Sequence, residues 1–176
     1  NMQKFDSALP GGHFKSLRNA KSKFYRDHKV EIKNTGEIDK KDLKDVVDRW
    51  IPIAQKREAE FLHVEPYYNV IESGFRGLTT ARVMVVDGQA VGFNGGWRIP
   101  NSDTFYAAIG IHNYSIQDLG LILYLEDLEW IKAAGYRHAD MGGVEEGNPL
   151  NFKNQFLPES CYKTSVFSII KNSEHE

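Results

Sequence analysis

The chain has 176 residues, 41% of them hydrophobic and 26% charged, and a formal net charge of −2. That length suits one domain with a real core, and the mild acidity excludes a whole-molecule attraction to nucleic acid. A single cysteine, Cys161, excludes an internal disulfide, and no apolar run nears the roughly 18 residues that span a bilayer.

No signal peptide is visible, so a reducing, cytoplasmic setting is the expectation. Asn1 ahead of Met2 reads as a tag remnant. Residues 1–12 are expected to be remnant and linker, with a turn at Leu9-Pro10-Gly11-Gly12. Residues 13–171 are expected to form one domain and 172–176 a disordered tail.

From His13 to His28 the spacing of Phe14, Leu17, Lys21 and Phe24-Tyr25 predicts a helix. Lys15, Arg18, Lys21, Lys23 and Arg26 make its remainder basic. Such a face is either simply solvated or a local patch for phosphate. Val30 and Ile32 alternate with polar residues and predict a strand, closed by a turn at Asn34-Thr35-Gly36. Asp39 can cap the next helix. There Leu43, Val46, Val47, Trp50, Ala54 and Phe61 recur at helical spacing, and Pro52 should kink or divide the element. A short helix follows Pro66 and ends near Ser73-Gly74.

Residues 78–86 are rich in Val and Thr and predict a strand. Asp87-Gly88 is a hairpin turn signal, and Gln89 to Ile99 form the return strand. Gly92, Gly95 and Gly96 inside it require a bulge or a close approach. Pro100 to Asp103 turn the chain into a third strand, Thr104 to Ile111, which completes an antiparallel meander.

The next stretch organises the chain. A polar loop, His112 to Ile116, leads to a helix from Gln117 to Ala134. Leu121, Leu125, Leu128 and Ile131 mark one buried face, and Gly135 ends the helix. A strand, Tyr136 to Met141, carries Asp140 near its end. An acidic loop holds Glu145 and Glu146, a short helix runs from Leu150 to Phe156, and 162–170 predict a last strand. Glycine in the first turn of a helix entered from a strand leaves outward amides that favour an anionic or strongly polar ligand. The other reading of Gly120 is that it only lets helix and sheet approach.

From the first strand on, the order β-α-α-β-β-β-α-β-α-β, expected as a mixed and mostly antiparallel sheet whose parallel pair splays, resembles the Gcn5-related N-acetyltransferase (GNAT) fold. That superfamily has Gln/Arg-x-x-Gly-x-Gly/Ala before its central helix, which holds the coenzyme A pyrophosphate. The corresponding residues are Gln117, Gly120 and Ile122, the last a departure from the pattern. Asp118 also places a carboxylate near the expected pyrophosphate. Leu17-Arg18-Asn19 with Phe24, then Asp140-Met141-Gly142-Gly143, then Leu150-Asn151-Phe152-Lys153-Asn154-Gln155-Phe156, resemble the phosphatidylglycerol lysyltransferase C-terminal domain and the related Fem peptidyltransferases. These proteins move an aminoacyl group from aminoacyl-tRNA to a lipid or peptidoglycan acceptor. They typically carry two such domains in tandem, so the resemblance implies an upstream partner domain.

The same resemblance implies that Lys153 stabilises an oxyanion. Acyl transfer to an amine also needs a held carbonyl and a neutral nucleophile. Asn113, Gln117, Asp118, Leu119, Gly120 and Leu121 are the candidates for seating the donor. Asp140, Glu145 or Glu146 could orient or deprotonate the acceptor, and Tyr114 could donate a proton. For Lys153 the alternative is a surface lysine, and for the glutamates a solvated loop. The six histidines show no metal-ligand spacing with Cys161, and His112 reads as structural or as a weak general base. No cofactor is required beyond an acyl donor, aminoacyl-tRNA or acetyl-coenzyme A. The acceptor would be a small-molecule, lipid-headgroup or peptide amine, and the basic segment 15–29 could touch tRNA. The alternatives are an acetyl-coenzyme A N-acetyltransferase and an accessory domain that kept the fold.

Overall fold

The computed structural model describes residues 1–57, 63–142 and 151–161. Two compact units make up the chain, Asn1–Gly142 and Gly143–Glu176. In the first, the elements are α1 (Lys15–Asp27), β1 (Val30–Asn34), a 3-10 turn (Thr35–Glu37), α2 (Lys40–Arg57), α3 (Glu65–Glu72), β2 (Thr80–Val86), β3 (Gln89–Arg98), β4 (Thr104–His112), α4 (Leu119–Ala133) and β5 (His138–Asp140). The second unit contributes α5 (Asn151–Asn154). The expected strand at 162–170, the loop glutamates Glu145 and Glu146, and Phe61 lie outside the described residues.

One five-stranded sheet runs in the order β1-β2-β3-β4-β5. Its neighbours are antiparallel except β4 and β5, which are parallel. Alternation along β2 sends Val83 and Val85 to one face and Met84 and Val86 to the other. The first face is covered by Leu43, Val46, Val47, Trp50 and Ala54 of α2 and Ile71 of α3. On the second, Phe24 of α1 and Leu119, Ile122 and Leu123 of α4 complete the packing.

Pro52 does not divide α2, which continues as one helix to Arg57. Within residues 1–12, expected as remnant and linker, Met2 and Leu9 are buried while most of the others are exposed. The Met2 amide donates to the Arg137 carbonyl at 2.8 Å. Their apolar side chains gain more from the domain surface than from water.

The helix α4 is apolar around most of its circumference. Leu119, Ile122 and Leu123 are buried along with the expected Leu121, Leu125, Leu128 and Ile131. The reason is a second neighbour, because α1 lies against it. Lys21 pairs with Glu129, and the Tyr25 hydroxyl donates to Glu126. A helix held between a sheet and another helix buries more than one stripe.

Two irregularities shape β3 and β4. Between Met84 and Val85 the β2–β3 register shifts. In β3–β4, Gly95 faces Ile109 but Gly96 faces Ala107, so Ala108 is the extra residue of a bulge. At Gly96 a Cβ would stand 2.2 Å from the Tyr106 carbonyl oxygen and 2.7 Å from the Phe105 ring. Gly96→Ala should therefore destabilise the chain by about 1–3 kcal/mol. A denaturant midpoint unchanged from the parent would refute that tight approach.

Candidate functional site

The parallel pairing is short. Thr104, Phe105 and Tyr106 of β4 match His138, Ala139 and Asp140 of β5, and β4 then runs six further residues to His112. β5 ends at Asp140 with all three of its residues paired, so along that continuation β4 has β3 as its only strand neighbour among the described residues. The bulge at Ala108 lies two residues beyond the last β4–β5 pair. The expected strand from Tyr136 to Met141 is shortened to three residues. Its first part serves the helix end instead: the Tyr136 amide donates to the Ile131 carbonyl at 3.3 Å and the Gly135 amide to Lys132 at 3.0 Å.

β4 leads into the loop before α4. The Asn113 amide donates to the Val91 carbonyl at 2.8 Å, while its side-chain oxygen accepts from the Ser115 amide at 3.0 Å and the Ser115 hydroxyl at 2.8 Å. This turn delays the helix. α4 starts at Leu119, not at the expected Gln117, and Asp118 precedes it in a left-handed conformation with φ of 61°. Asp tolerates that region better than most residues. Gln117 is exposed and outside the helix.

The Leu119 amide reaches the Ile116 carbonyl at 3.4 Å. The amides of Gly120 and Leu121 have no acceptor among the described residues. They sit at the positive end of the helix dipole, where an anion is stabilised. Ile122, the departure from the family pattern, points away from this mouth: it is 1% exposed and packs with Phe24 and Met84. Leu121 likewise buries its side chain and can offer only its backbone.

Gly120 has a local reason as well. A Cβ there would meet the His112 imidazole at 2.6 Å from Nε2 and 2.8 Å from Cε1. His112 also packs on Tyr114, with ring centroids 4.3 Å apart. The close-approach reading of Gly120 thus has a physical basis, since the neighbour it admits is the His112 imidazole.

Asp140 is the last residue of β5 and pairs with Tyr106. Its carboxylate accepts the Gly142 amide at 3.0 Å, which folds the chain back after β5. The structure so brings together His112, Asn113, Tyr114, Gln117, Asp118, Leu119, Gly120 and Leu121 on one loop and helix end, whereas Asp140, in register with Tyr106, stands six residues down β4 from His112. Lys153 belongs to the second unit. It is half-buried on α5, between Phe152 and Phe156, whose rings contact each other at 5.7 Å. Glu145 lies outside the described residues.

Much of the basic face of α1 is engaged internally. Arg18 donates to the carbonyls of Leu9 and Gly11, the latter at 2.7 Å. Lys21 holds Glu129 and Arg26 holds Asp27. Lys15 and Lys23 remain exposed. Among the described residues no group of three His, Cys, Asp or Glu side chains could hold a metal ion, and no helix is long and apolar enough to cross a membrane.

No protein-family model matches the chain, and no curated protein matches it by sequence. Solved structures do match its fold. The L-PGS structure from Bacillus licheniformis superposes with a TM-score of 0.61 at 16% identity, over 84% of this chain and 46% of that one. The C-terminal domain (DUF2156) of a protein assigned as a lysylphosphatidylglycerol synthetase from Agrobacterium fabrum gives 0.56 at 15% identity, over 89% and 48%. The aminoglycoside acetyltransferase meta-AAC0020, from an uncultured soil metagenomic sample and in complex with sisomicin, gives 0.52 at 12% identity, over 86% and 99%. The chain carries the GNAT-like fold these proteins share. It spans about half the length of the Bacillus licheniformis and Agrobacterium fabrum structures.

Proposed function

We propose that this chain is an acyltransferase domain that seats its donor at the α4 N-terminus and passes an acyl or aminoacyl group to an amine or hydroxyl acceptor. One observation carries this reading: β4 continues past the end of β5 and delivers the chain to α4, where the Gly120 and Leu121 amides have no acceptor among the described residues. A strand edge leading to a positive helix end suits an elongated donor with an anionic section.

In this scheme Asn113, Gln117, Asp118 and Leu119 shape the donor loop. The acceptor nitrogen or oxygen attacks the donor carbonyl carbon. The bond to the donor sulfur or oxygen then breaks, and the leaving thiol or hydroxyl takes its proton from Tyr114. Lys153 stabilises the intermediate oxyanion. Asp140 or Glu145 orients the acceptor and removes its proton. The donor is a coenzyme A thioester or an aminoacyl-tRNA. If it is the latter, the reading includes an upstream domain of the same fold, and Lys15 and Lys23 are the α1 cations left to meet the nucleic acid.

Thermal denaturation with acetyl-coenzyme A separates the donors. Acetyl-coenzyme A at 100 times its Kd should stabilise the folded chain by about 2.7 kcal/mol. No shift at millimolar ligand would sink the thioester donor. Salt-sensitive binding of aminoacyl-tRNA would then support the aminoacyl donor, and binding of neither would leave an accessory domain with this fold.

A further inference from the structure

β1 is the outer strand of the sheet, with β2 as its only strand neighbour among the described residues. The Asp87 amide donates to the Lys29 carbonyl at 2.9 Å, one step before the first registered pair, Val30 and Val86. In an antiparallel ladder every second residue turns its backbone groups to the neighbouring strand. Glu31 and Lys33 therefore bond to β2, while Val30, Ile32 and Asn34 turn their amides and carbonyls outward. The Asn34 amide is taken by the Glu37 carboxylate at 2.8 Å. The remaining outward groups have no partner among the described residues.

The side chains beside this edge are accessible. Ile32 is 38% exposed and Tyr25 39%, two of the five large hydrophobic side chains exposed among the described residues. They share a face of the sheet. Ile32 is in register with Met84, which packs with Phe24 of α1. Ile32 also lines one recess with Glu126, the acceptor of the Tyr25 hydroxyl. Glu31 and Lys33 stand on the other face, where Glu31 pairs with Lys29 at 2.7 Å and with Lys33 at 3.4 Å. Charges on an outer strand discourage indiscriminate pairing. Their order here still admits one particular neighbour, a second copy of the same strand running the other way.

Because Val30, Ile32 and Asn34 carry the outward groups, a second strand must pair among these positions. Centred on Glu31, the pairing sets glutamate against glutamate, and centred on Lys33 it sets lysine against lysine. Directly opposed like charges destabilise a ladder. Centred on Val30 or Asn34, it uses only half of the strand. Centred on Ile32, it places Glu31 of each copy opposite Lys33 of the other, Ile32 opposite Ile32, and Val30 opposite Asn34. The two Ile32 residues then exchange two hydrogen bonds, and each Val30 amide donates to the opposite Asn34 carbonyl. We infer that β1 is the interface of a symmetric dimer of this chain, joined edge to edge in the Ile32-centred register so that the two sheets become one. The same patch serves both copies, and Tyr25 of each flanks the Ile32 pair. One strand and its flanking side chains make a small interface, so the association is weak, in the micromolar range. The inference does not depend on acyl transfer.

Sedimentation equilibrium of the full chain from about 1 to 300 μM should show a reversible monomer–dimer equilibrium. Glu31→Lys sets lysine against lysine in both facing pairs, and Lys33→Glu sets glutamate against glutamate. Each variant alone should self-associate about tenfold more weakly or worse. An equimolar mixture of the two restores opposite charges in both pairs and should associate about as strongly as the parent chain. Only this register predicts that recovery. Circular dichroism checks that the variants fold. Should either misfold, hydrogen exchange in the unmodified chain decides: the Val30 and Ile32 amides should exchange more slowly as concentration rises. A chain that stays monomeric throughout, single variants that associate like the parent, a mixture that recovers nothing, or exchange independent of concentration would overturn the inference.

Discussion

Asp127→Ala should destabilise the chain by about 3–5 kcal/mol, read as the shift in a urea unfolding curve. Asp127 of α4 is 4% exposed and holds Arg82 of β2 at 2.8 Å. The guanidinium lies over the Trp130 ring, 5.0 Å from its centroid, and the Arg82 Nε finds no partner among the described residues. Removing the carboxylate would leave that cation buried with little to oppose it. Burial is the larger influence on both partners. It pushes the Asp127 carboxyl up against the pull of Arg82, and it pushes Arg82 down against the pull of Asp127. The attraction thus fails to outweigh the cost of taking two charges from water. Replacing both at once, Arg82→Met with Asp127→Leu, should therefore be neutral or stabilising, and a double variant as weak as the single one would refute this account. The pH dependence has a defined sign. A carboxyl whose folded pKa is raised contributes stability below its unfolded value, about 3.9, and loses it as pH rises through the folded value. Asp127→Asn should remove that part of the slope.

Lys153→Ala should lower the transfer rate on the order of 10²–10³-fold and leave the melting temperature nearly unchanged. The expectation follows from the role proposed for Lys153, a fixed cation beside a developing oxyanion. A large fall in melting temperature would make the lysine structural. A normal rate in a stable variant would remove it from the chemistry. Lys153→Arg makes a useful companion, since it keeps the charge but changes the donor geometry.

Local signals foretold those parts of the fold that depend on local conformation. Asp87-Gly88 turns the β2–β3 hairpin with φ of 51° and 84°, the left-handed pair that such a dipeptide favours. Gly135 closes α4 with φ of +85°. The spacing of Leu43, Val46, Val47, Trp50 and Ala54 marked the buried face of α2. Features set by distant neighbours were not legible. The burial of Ile122 and Leu123 depends on α1 lying over α4, which no window of α4 contains. β5 is shorter than expected because Tyr136 closes the preceding helix.

The candidate site divides in the same way. The Gln117 to Gly120 pattern pointed to the helix mouth, although Asp118 delays the helix by two residues. The register that sets Trp97 opposite Tyr106 was not legible. The extra residue Ala108 shifts β4 against β3, and no count along either strand reveals that displacement. Alternation of Phe105 and Tyr106 was the one available hint, since only one of two adjacent aromatics can enter a given core.

The contact between Gly120 and the His112 ring ties two positions that are eight apart in the chain. A methyl group at 120 would occupy space the imidazole already fills, so alanine there demands a smaller or reoriented side chain at 112. The two sites cannot vary independently. Any redesign of the helix mouth, whether to admit a bulkier ligand or to shut it, has to treat them as a single unit.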